Sequence, residues 1–259
     1  MKKRRPSVAV SDARGVRTLH VGGEAIQSAM RLGDPFALYL DYTRCMMGFL
    51  LFHPEPRRAL MIGLGGGSLA KFFLKKFKNT SIRVVELDPR IVAAARTQFA
   101  LPPDGSRLSV EIGDGAEALA PECCDVLVVD AYHDEEHVPE LASQAFYDAA
   151  FLALAEPGAL VVNFMDDDRN LDANLQRLEA AFGGAVLAMK ALYDPNVIAF
   201  ALKGQPHGEP HRRPWSIEWA ELRRRAERLE SELGLPFSRY LARLRGMNRW
   251  TARELIIAP

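Results

Sequence analysis

Residues 58–88 read RALMIGLGGGSLAKFFLKKFKNTSIRVVELD, and no other stretch constrains the fold as strongly. Ala59 to Ile62 is a short apolar run bounded by turn residues, the pattern of a buried parallel strand. It breaks at Gly63-Leu64-Gly65-Gly66-Gly67, and Ser68 to Phe77 then carries apolar residues at helical spacing. A second strand, Ile82 to Val85, delivers Glu86 at its C-terminal end. A strand, glycine turn, helix, strand and acid about 20 residues on form the βαβ unit that binds nucleosides. Glycines let the backbone pass close to a ligand with no Cβ in the way, and a carboxylate at that strand end suits two ribose hydroxyls. A glycine turn that only packs a helix on a sheet is the competing account. It is disfavoured because strand, helix and acid are all in place.

The nucleoside is narrowed by what the turn lacks. Gly63-x-Gly65-x-Gly67 does not have the final spacing of the NAD fingerprint, and no Gly-Lys-Ser/Thr follows to form a phosphate loop. An adenosyl sulfonium has no phosphates to cradle and tolerates this looser turn. The 259 residues, 48% hydrophobic, suffice for one substantial core with appendages. With 33 basic and 33 acidic residues, no overall charge favours nucleic acid or an anionic membrane. Three cysteines, two of them adjacent as Cys123-Cys124, offer neither a disulfide framework nor zinc spacing, which points to a reducing compartment. Lys2 to Arg5 is not followed by a signal-peptide apolar core. The most apolar window, Phe36 to Phe52, contains Asp41 and Arg44 and is short for a bilayer. The expectation is a soluble, cytoplasmic protein.

Ser7 to Val21 reads as a β-hairpin turning at Asp12 to Gly15. Asp34-Pro35 has the form of a helix cap followed by proline at the first helical position, which predicts a helix to about Phe52, closed by Pro54 and Pro56. Beyond the glycine unit, helices are predicted from Pro89, Ser143 and Asn170. Strands are predicted at Leu108 to Ile112, Asp125 to Val129, Ala159 to Phe164, Ala185 to Lys190 and Val197 to Leu202. The last two, separated by Asp194-Pro195-Asn196, form an antiparallel hairpin. The fold class is therefore α/β, a Rossmann-like, doubly wound and mostly parallel sheet with a C-terminal antiparallel hairpin. A short N-terminal β-hairpin precedes it and a C-terminal helical appendage follows. A five-strand parallel core closed by such a hairpin is the architecture of class I AdoMet-dependent transferases. The expected divisions are 1–33, 34–203 and 204–259, the last opening with a Pro-, Gly- and His-rich linker. Two arginine-rich helices follow, roughly Ile217 to Leu233 and Phe237 to Leu244. Pairs such as Glu221–Arg225 make them a solvated face rather than an RNA surface.

In an open α/β sheet, ligands lie beyond the carboxyl ends of the strands. Four acids fall there: Glu86, Asp88, Asp114 and Asp130. Glu86 suits a ribose, Asp114 the exocyclic amine of an adenine, and Asp130 the place where a transferred group would lie. Helix capping competes as an explanation for single acids in this set. His133-Asp134-Glu135-Glu136-His137 has two histidines at i,i+4, but its second residue is Asp, a strand directly precedes it and Pro139 follows, so no metal site is expected.

With these residues in view, the chain resembles the spermidine synthase family of aminopropyltransferases, over roughly Gly15 to Leu202. The matching pieces are Gly63 to Gly67, Val85-Glu86-Leu87-Asp88, Gly113-Asp114-Gly115, and Val129-Asp130-Ala131 followed by Ser143-Gln144-Ala145-Phe146-Tyr147. The resemblance implies that Glu86 and Asp114 hold ribose and adenine and that Gly115 belongs to the same site. It further implies that Gln27 lies near the nucleoside, that Tyr42 and Tyr147 lie near the substrate, and that Asp130 accepts a proton from an attacking amine. Three departures fall on substrate recognition. The family's loop aspartate is here Gly66, its Tyr-His-Glu is Tyr42-Thr43-Arg44, and its second loop aspartate is displaced so that position 133 is His and the acid is Asp134.

The leading reading is a transferase moving an aminopropyl group from decarboxylated AdoMet, or using AdoMet, to a small-molecule amine, with no metal. Two other readings stand beside it. Loss of the loop acid at Gly66 and gain of Arg44 suit the AdoMet carboxylate of a methyltransferase. A nucleoside-binding protein without turnover, acting through its C-terminal helices, is the third. The resemblance admits a homodimer; neither a membrane nor nucleic acid is an expected partner.

Overall fold

The computed structural model describes residues 7–133, 136–137, 139–204 and 215–258, the side chains of 132–139 excepted. The N-terminal hairpin forms as expected, β1 (Val8–Ala13) against β2 (Val16–Val21), with Arg14 and Gly15 turning at positive φ. A third strand, β3 (Ile26–Arg31), adds to β2 and was not foreseen. Its Gln27-Ser28-Ala29 centre carries little strand propensity, and pairing decides its conformation.

The predicted helix from Asp34 to Phe52 is shorter than expected. Asp34 accepts from the Phe36 N–H and pairs with Lys75 at 2.9 Å, which makes Asp34-Pro35 a turn rather than a cap. The helix α1 spans only Asp41–Met46 and tightens into a 3₁₀ segment, Met47–Leu51. Gly48 allows that close packing, since a Cβ there would lie 2.8 Å from the Phe200 ring.

The central elements follow the sequence rhythm: β4 (Arg58–Ile62), α2 (Ser68–Lys76), β5 (Ser81–Glu86), α3 (Pro89–Gln98), β6 (Leu108–Ile112) and β7 (Cys124–Val129). Two-residue strands β8 (Tyr132–His133) and β9 (Glu136–His137) pair with each other. Then come α4 (Gln144–Ala153), β10 (Leu154–Met165), α5 (Leu171–Ala181), β11 (Val186–Lys190) and β12 (Asn196–Lys203). The seven long strands order in space as β6-β5-β4-β7-β10-β12-β11. All neighbours are parallel except β12, which runs antiparallel to both β10 and β11.

From β4 the chain winds outward through β5 and β6, then returns to β7 on the other side. That reversal opens a crevice at the carboxyl ends of β4 and β7. Alternate residues of the central strands feed two cores. Met61, Val84, Val126 and Val128 face one, and Leu60, Ile62, Leu127 and Val129 face the other.

Of the C-terminal helices, α6 (Trp219–Leu233) starts two residues later than predicted because Ile217 and Glu218 belong to a strand, and α7 (Phe237–Met247) runs three residues further. A paired β13 (Trp215–Glu218) and β14 (Glu254–Ala258) flank them. Trp219, Leu222, Ala226, Phe237, Tyr240 and Leu244 join the first core, so these helices complete one face of the sheet. The predicted Glu221–Arg225 pair forms at 2.8 Å. Arg225 also donates to the Leu51 carbonyl and Arg243 to that of Leu192.

Candidate functional site

The glycine turn is shaped first by backbone contact. Gly63 has φ +93°, and a Cβ there would sit 2.2 Å from the Asp130 carbonyl oxygen. The turns after β4 and β7 thus touch main chain to main chain, which brings Asp130 to the crevice. Gly67, at φ +71°, caps α2 without a side-chain bond and leaves its first-turn N–H groups towards the loop. A Cβ at Gly65 would approach Ser28 at 3.4 Å, so β3 lies over the turn and carries Gln27, half-buried, to its edge. Gly115 has another cause. A Cβ there would meet Ile62 at 2.2 Å, so it serves packing beneath the site.

Glu86 is buried, and both its oxygens face the turn. One accepts from the Leu64 N–H and the other from the Asp88 N–H, each at 2.9 Å. Burial leaves its pKa above the ordinary carboxylate value, a rise that the backbone donors oppose without cancelling. The Leu87 N–H is a third donor to this carboxylate, and its remaining acceptor capacity suits a ligand hydroxyl. Asp88 caps α3 through the Arg90 N–H and pairs with the Arg90 side chain, so its role is structural. Asp114 is exposed and accepts from the Ala116 N–H at 2.9 Å, which leaves one oxygen free of that turn. Next to these acids stand Leu87, 70% exposed, and Ile112, 60% exposed. Apolar side chains so open at adjacent strand ends form a pair of surfaces suited to a flat, weakly polar ring. Sequence reasoning missed both, although each adjoins a residue it singled out.

Asp130 lies at the mouth of the central crevice, half-buried as a residue, with its carboxylate turned inward. Tyr42 Oη donates to Oδ2 at 3.2 Å and Asn163 Nδ2 donates to Oδ1 at 2.9 Å. Asn163 is itself held by Asn196 Nδ2 at 3.0 Å. Desolvation raises the Asp130 pKa, and the Asn163 and Tyr42 bonds oppose the rise. Among the described residues no cation pairs with this carboxylate. A negative group held by neutral donors alone retains affinity for a proton or an ammonium. Asn163 was missed as well; its signal was a buried amide inside the otherwise apolar strand 159–164.

Other expected residues part company. Tyr42 reaches Asp130, but Arg44 donates to the Leu38 carbonyl at 2.8 Å and lies towards Tyr240, away from the crevice. Residues two apart on a helix diverge by about 200°, which explains the split. Tyr147 is wholly buried against Phe146 on the α5 side of the sheet and does not line the crevice in this structure. Asp134 lies outside the described residues, as do the side chains of His133 and His137. Gly66 has no room for the acid it replaces: its Cβ would lie 2.7 Å from the Phe99 ring and 2.8 Å from Ser28 Oγ. A groove of about 310 Å³ opens at the opposite ends of β4–β6. Two of its arginines are already engaged there, Arg83 by Glu111 and Arg107 by the Leu74 and Phe77 carbonyls.

Comparison with known proteins agrees with this fold. Residues 40–172 match the spermine/spermidine synthase domain family. The polyamine aminopropyltransferase of Chromobacterium violaceum is 34% identical over 97% of this chain and 94% of its own. In fold, a probable spermidine synthase from Corynebacterium glutamicum superposes with a TM-score of 0.69. It is 20% identical and covers 89% of this chain and 86% of its own. Human methyltransferase-like protein 13, solved in complex with SAH, superposes with a TM-score of 0.65. It is 25% identical over 76% of this chain and 93% of its own. The strand-end acids, the glycine turn and an identity sustained along nearly the whole chain lead to one conclusion: this chain belongs to the spermine/spermidine synthase family.

Proposed function

We propose that the chain transfers the aminopropyl group of decarboxylated AdoMet to a small amine, with Asp130 as the base. The observation that carries this reading is the inward carboxylate of Asp130, held by Tyr42 and Asn163 and unneutralised among the described residues. An alkylamine with a pKa near 10.4 is protonated at pH 7, and its neutral form costs about 4–5 kcal/mol. The acceptor nitrogen attacks the sulfonium-bound CH₂; the N–C bond forms, the C–S bond breaks, and its electron pair stays on sulfur as methylthioadenosine. Asp130 takes the proton that nitrogen sheds. Glu86 suits the ribose hydroxyls, Leu87 and Ile112 the adenine faces, and Asp114 its amine, while Gln27 borders the nucleoside from β3.

A second reading, methyl transfer from AdoMet, is favoured by Gly66, where no acid fits to hold the amine of a decarboxylated tail. Arg44 no longer supports it, because that side chain points elsewhere. The two separate by product: methylthioadenosine for aminopropyl transfer, the demethylated sulfide for methyl transfer.

The test is Asp130→Asn, assayed with decarboxylated AdoMet and a panel of diamines. Turnover should fall roughly 10²–10⁴-fold, the usual contribution of a positioned base, with methylthioadenosine affinity little changed. The loss should shrink as pH approaches the acceptor's own pKa. Wild-type turnover by the variant would remove Asp130 as base. No turnover by the wild-type protein with any amine would end the aminopropyl reading.

A further inference from the structure

The two donors on Asp130 come from separate elements, yet both trace back to one turn. After β11 the chain crosses the end of the sheet, residues 191–196 comprising the turn and Asn196, the first residue of β12. On one side, Asp194 Oδ2 accepts from the Tyr42 N–H at 2.9 Å, and the Tyr193 N–H donates to Asp41 Oδ2 at 2.6 Å. This reciprocal pair fixes the start of α1, and hence Tyr42, whose hydroxyl reaches Asp130. On the other side, Asn196 holds the Asn163 amide, which reaches the second Asp130 oxygen. The turn is in turn gripped by α7. Arg239 Nη1 donates to Tyr193 Oη at 2.6 Å, with the guanidinium 5.0 Å from the centre of that ring, and Arg243 Nη2 donates to the Leu192 carbonyl at 3.1 Å.

We propose that α7 is a working part of the active site, with Arg239 and Arg243 as positioning residues that hold the 191–196 turn and through it both donors on Asp130. A surface pair taken alone contributes little. These two differ because the turn they hold is the common origin of both arms, so a small displacement slackens Tyr42 and Asn163 together. Hydrogen bonds to a charged group depend steeply on distance and angle, and loss of alignment there is felt at the reacting atoms. The arginines of α7 thereby acquire a use beyond solvation. Tyr193, 72% exposed, stands at the rim and meets the solvent and Arg239 rather than a core.

The proposal rests on Asp130 as the base, and the experiment separates the two. In the full chain, Arg239→Gln/Arg243→Gln is assayed with decarboxylated AdoMet and a diamine across pH, beside Asp130→Asn. The double variant should lose about tenfold or more in kcat, with methylthioadenosine affinity within about twofold of wild type. Its acidic limb in kcat/KM should move to higher pH, because weaker donors no longer hold the Asp130 carboxyl down. Arg243→Lys, which keeps a donor for the Leu192 carbonyl, should restore the limb. A merely structural role would lower the folded fraction and leave the limb in place. If the double variant does not fold, each single glutamine variant is judged by the same limb. An unmoved limb with unchanged kcat overturns the proposal; an Asp130→Asn variant with full activity overturns the base beneath it instead.

Discussion

At the scale of single residues, the site depends on a few atoms that have no room to move. Gly63 is the sharpest case, with positive φ and a would-be Cβ 2.2 Å from the Asp130 carbonyl. Backbone strain of about 1–3 kcal/mol and overpacking of about 1–3 kcal/mol should together destabilise Gly63→Ala by roughly 2–6 kcal/mol. Urea unfolding measures it, with Gly105→Ala, where the Cβ meets nothing within 4 Å, as the control that should change little. Glu86→Ala has two consequences. Losing charge-assisted bonds to a ribose should weaken methylthioadenosine binding by about 1.5–3 kcal/mol, read by calorimetric titration. The same change strands the Leu64 and Asp88 N–H groups, so the melting temperature should fall too. Unchanged affinity would remove Glu86 from the site.

At the scale of elements, local signals and tertiary pairing disagree in instructive places. Asp34-Pro35 has the composition of a helix start, but Lys75 from α2 and the Phe36 N–H claim the carboxylate. The helix therefore waits until Asp41, whose own carboxylate is taken by the Tyr193 N–H. The arginine-rich pattern of α6 and α7 correctly indicates amphipathic helices, while their apolar sides are what the sheet requires. Phe237 is fully buried there, against Tyr240 with ring centres 5.3 Å apart. Phe237→Ala should cost about 3–5 kcal/mol of stability, observed in denaturant unfolding. A cost below about 1 kcal/mol would mean that α7 docks only loosely.

At the scale of the whole molecule, one buried charge ties the N-terminal sheet to the nucleoside unit. Lys71 of α2 is fully buried, with its ammonium donating to the Phe99 carbonyl at 2.6 Å and lying 3.2 Å from Met30 Sδ of β3. Desolvation lowers its pKa from 10.5 to about 8. The unfolded chain then binds more protons between those values, so this group adds stability as pH rises from about 8 to 10.5. Buried Cys45, Cys124, Tyr147 and Tyr240 act in the opposite sense. Their pKa values are raised by burial, and their stabilisation is lost as pH rises above the unfolded values. The informative quantity is the difference between wild type and Lys71→Met, in which those groups cancel. Wild type should gain on the variant by about 1.4 kcal/mol per pH unit above pH 8. Urea titrations at pH 7, 8 and 9 measure it, and a flat difference would mean that Lys71 is not desolvated in solution.

The α/β rhythm, the glycine turn, the closing hairpin and the strand-end placement of Glu86, Asp114 and Asp130 were legible in the amino-acid pattern. These are local: strand period, helix period and turn composition lie within windows of a few residues, and a parallel sheet brings its strand ends together wherever the helices sit. Which neighbours surround Asp130 follows from long-range packing. Tyr42 and Asn163 lie 88 and 33 residues from Asp130 in the chain. The turn that steadies both is held by a helix beyond residue 236. Long-range packing also turned the Arg44 side chain towards the Leu38 carbonyl, because α1 presents one side to the crevice, and it packed Gly115 over Ile62 with no room for a Cβ. Contacts between distant segments depend on packing the whole chain at once, and no local pattern records them.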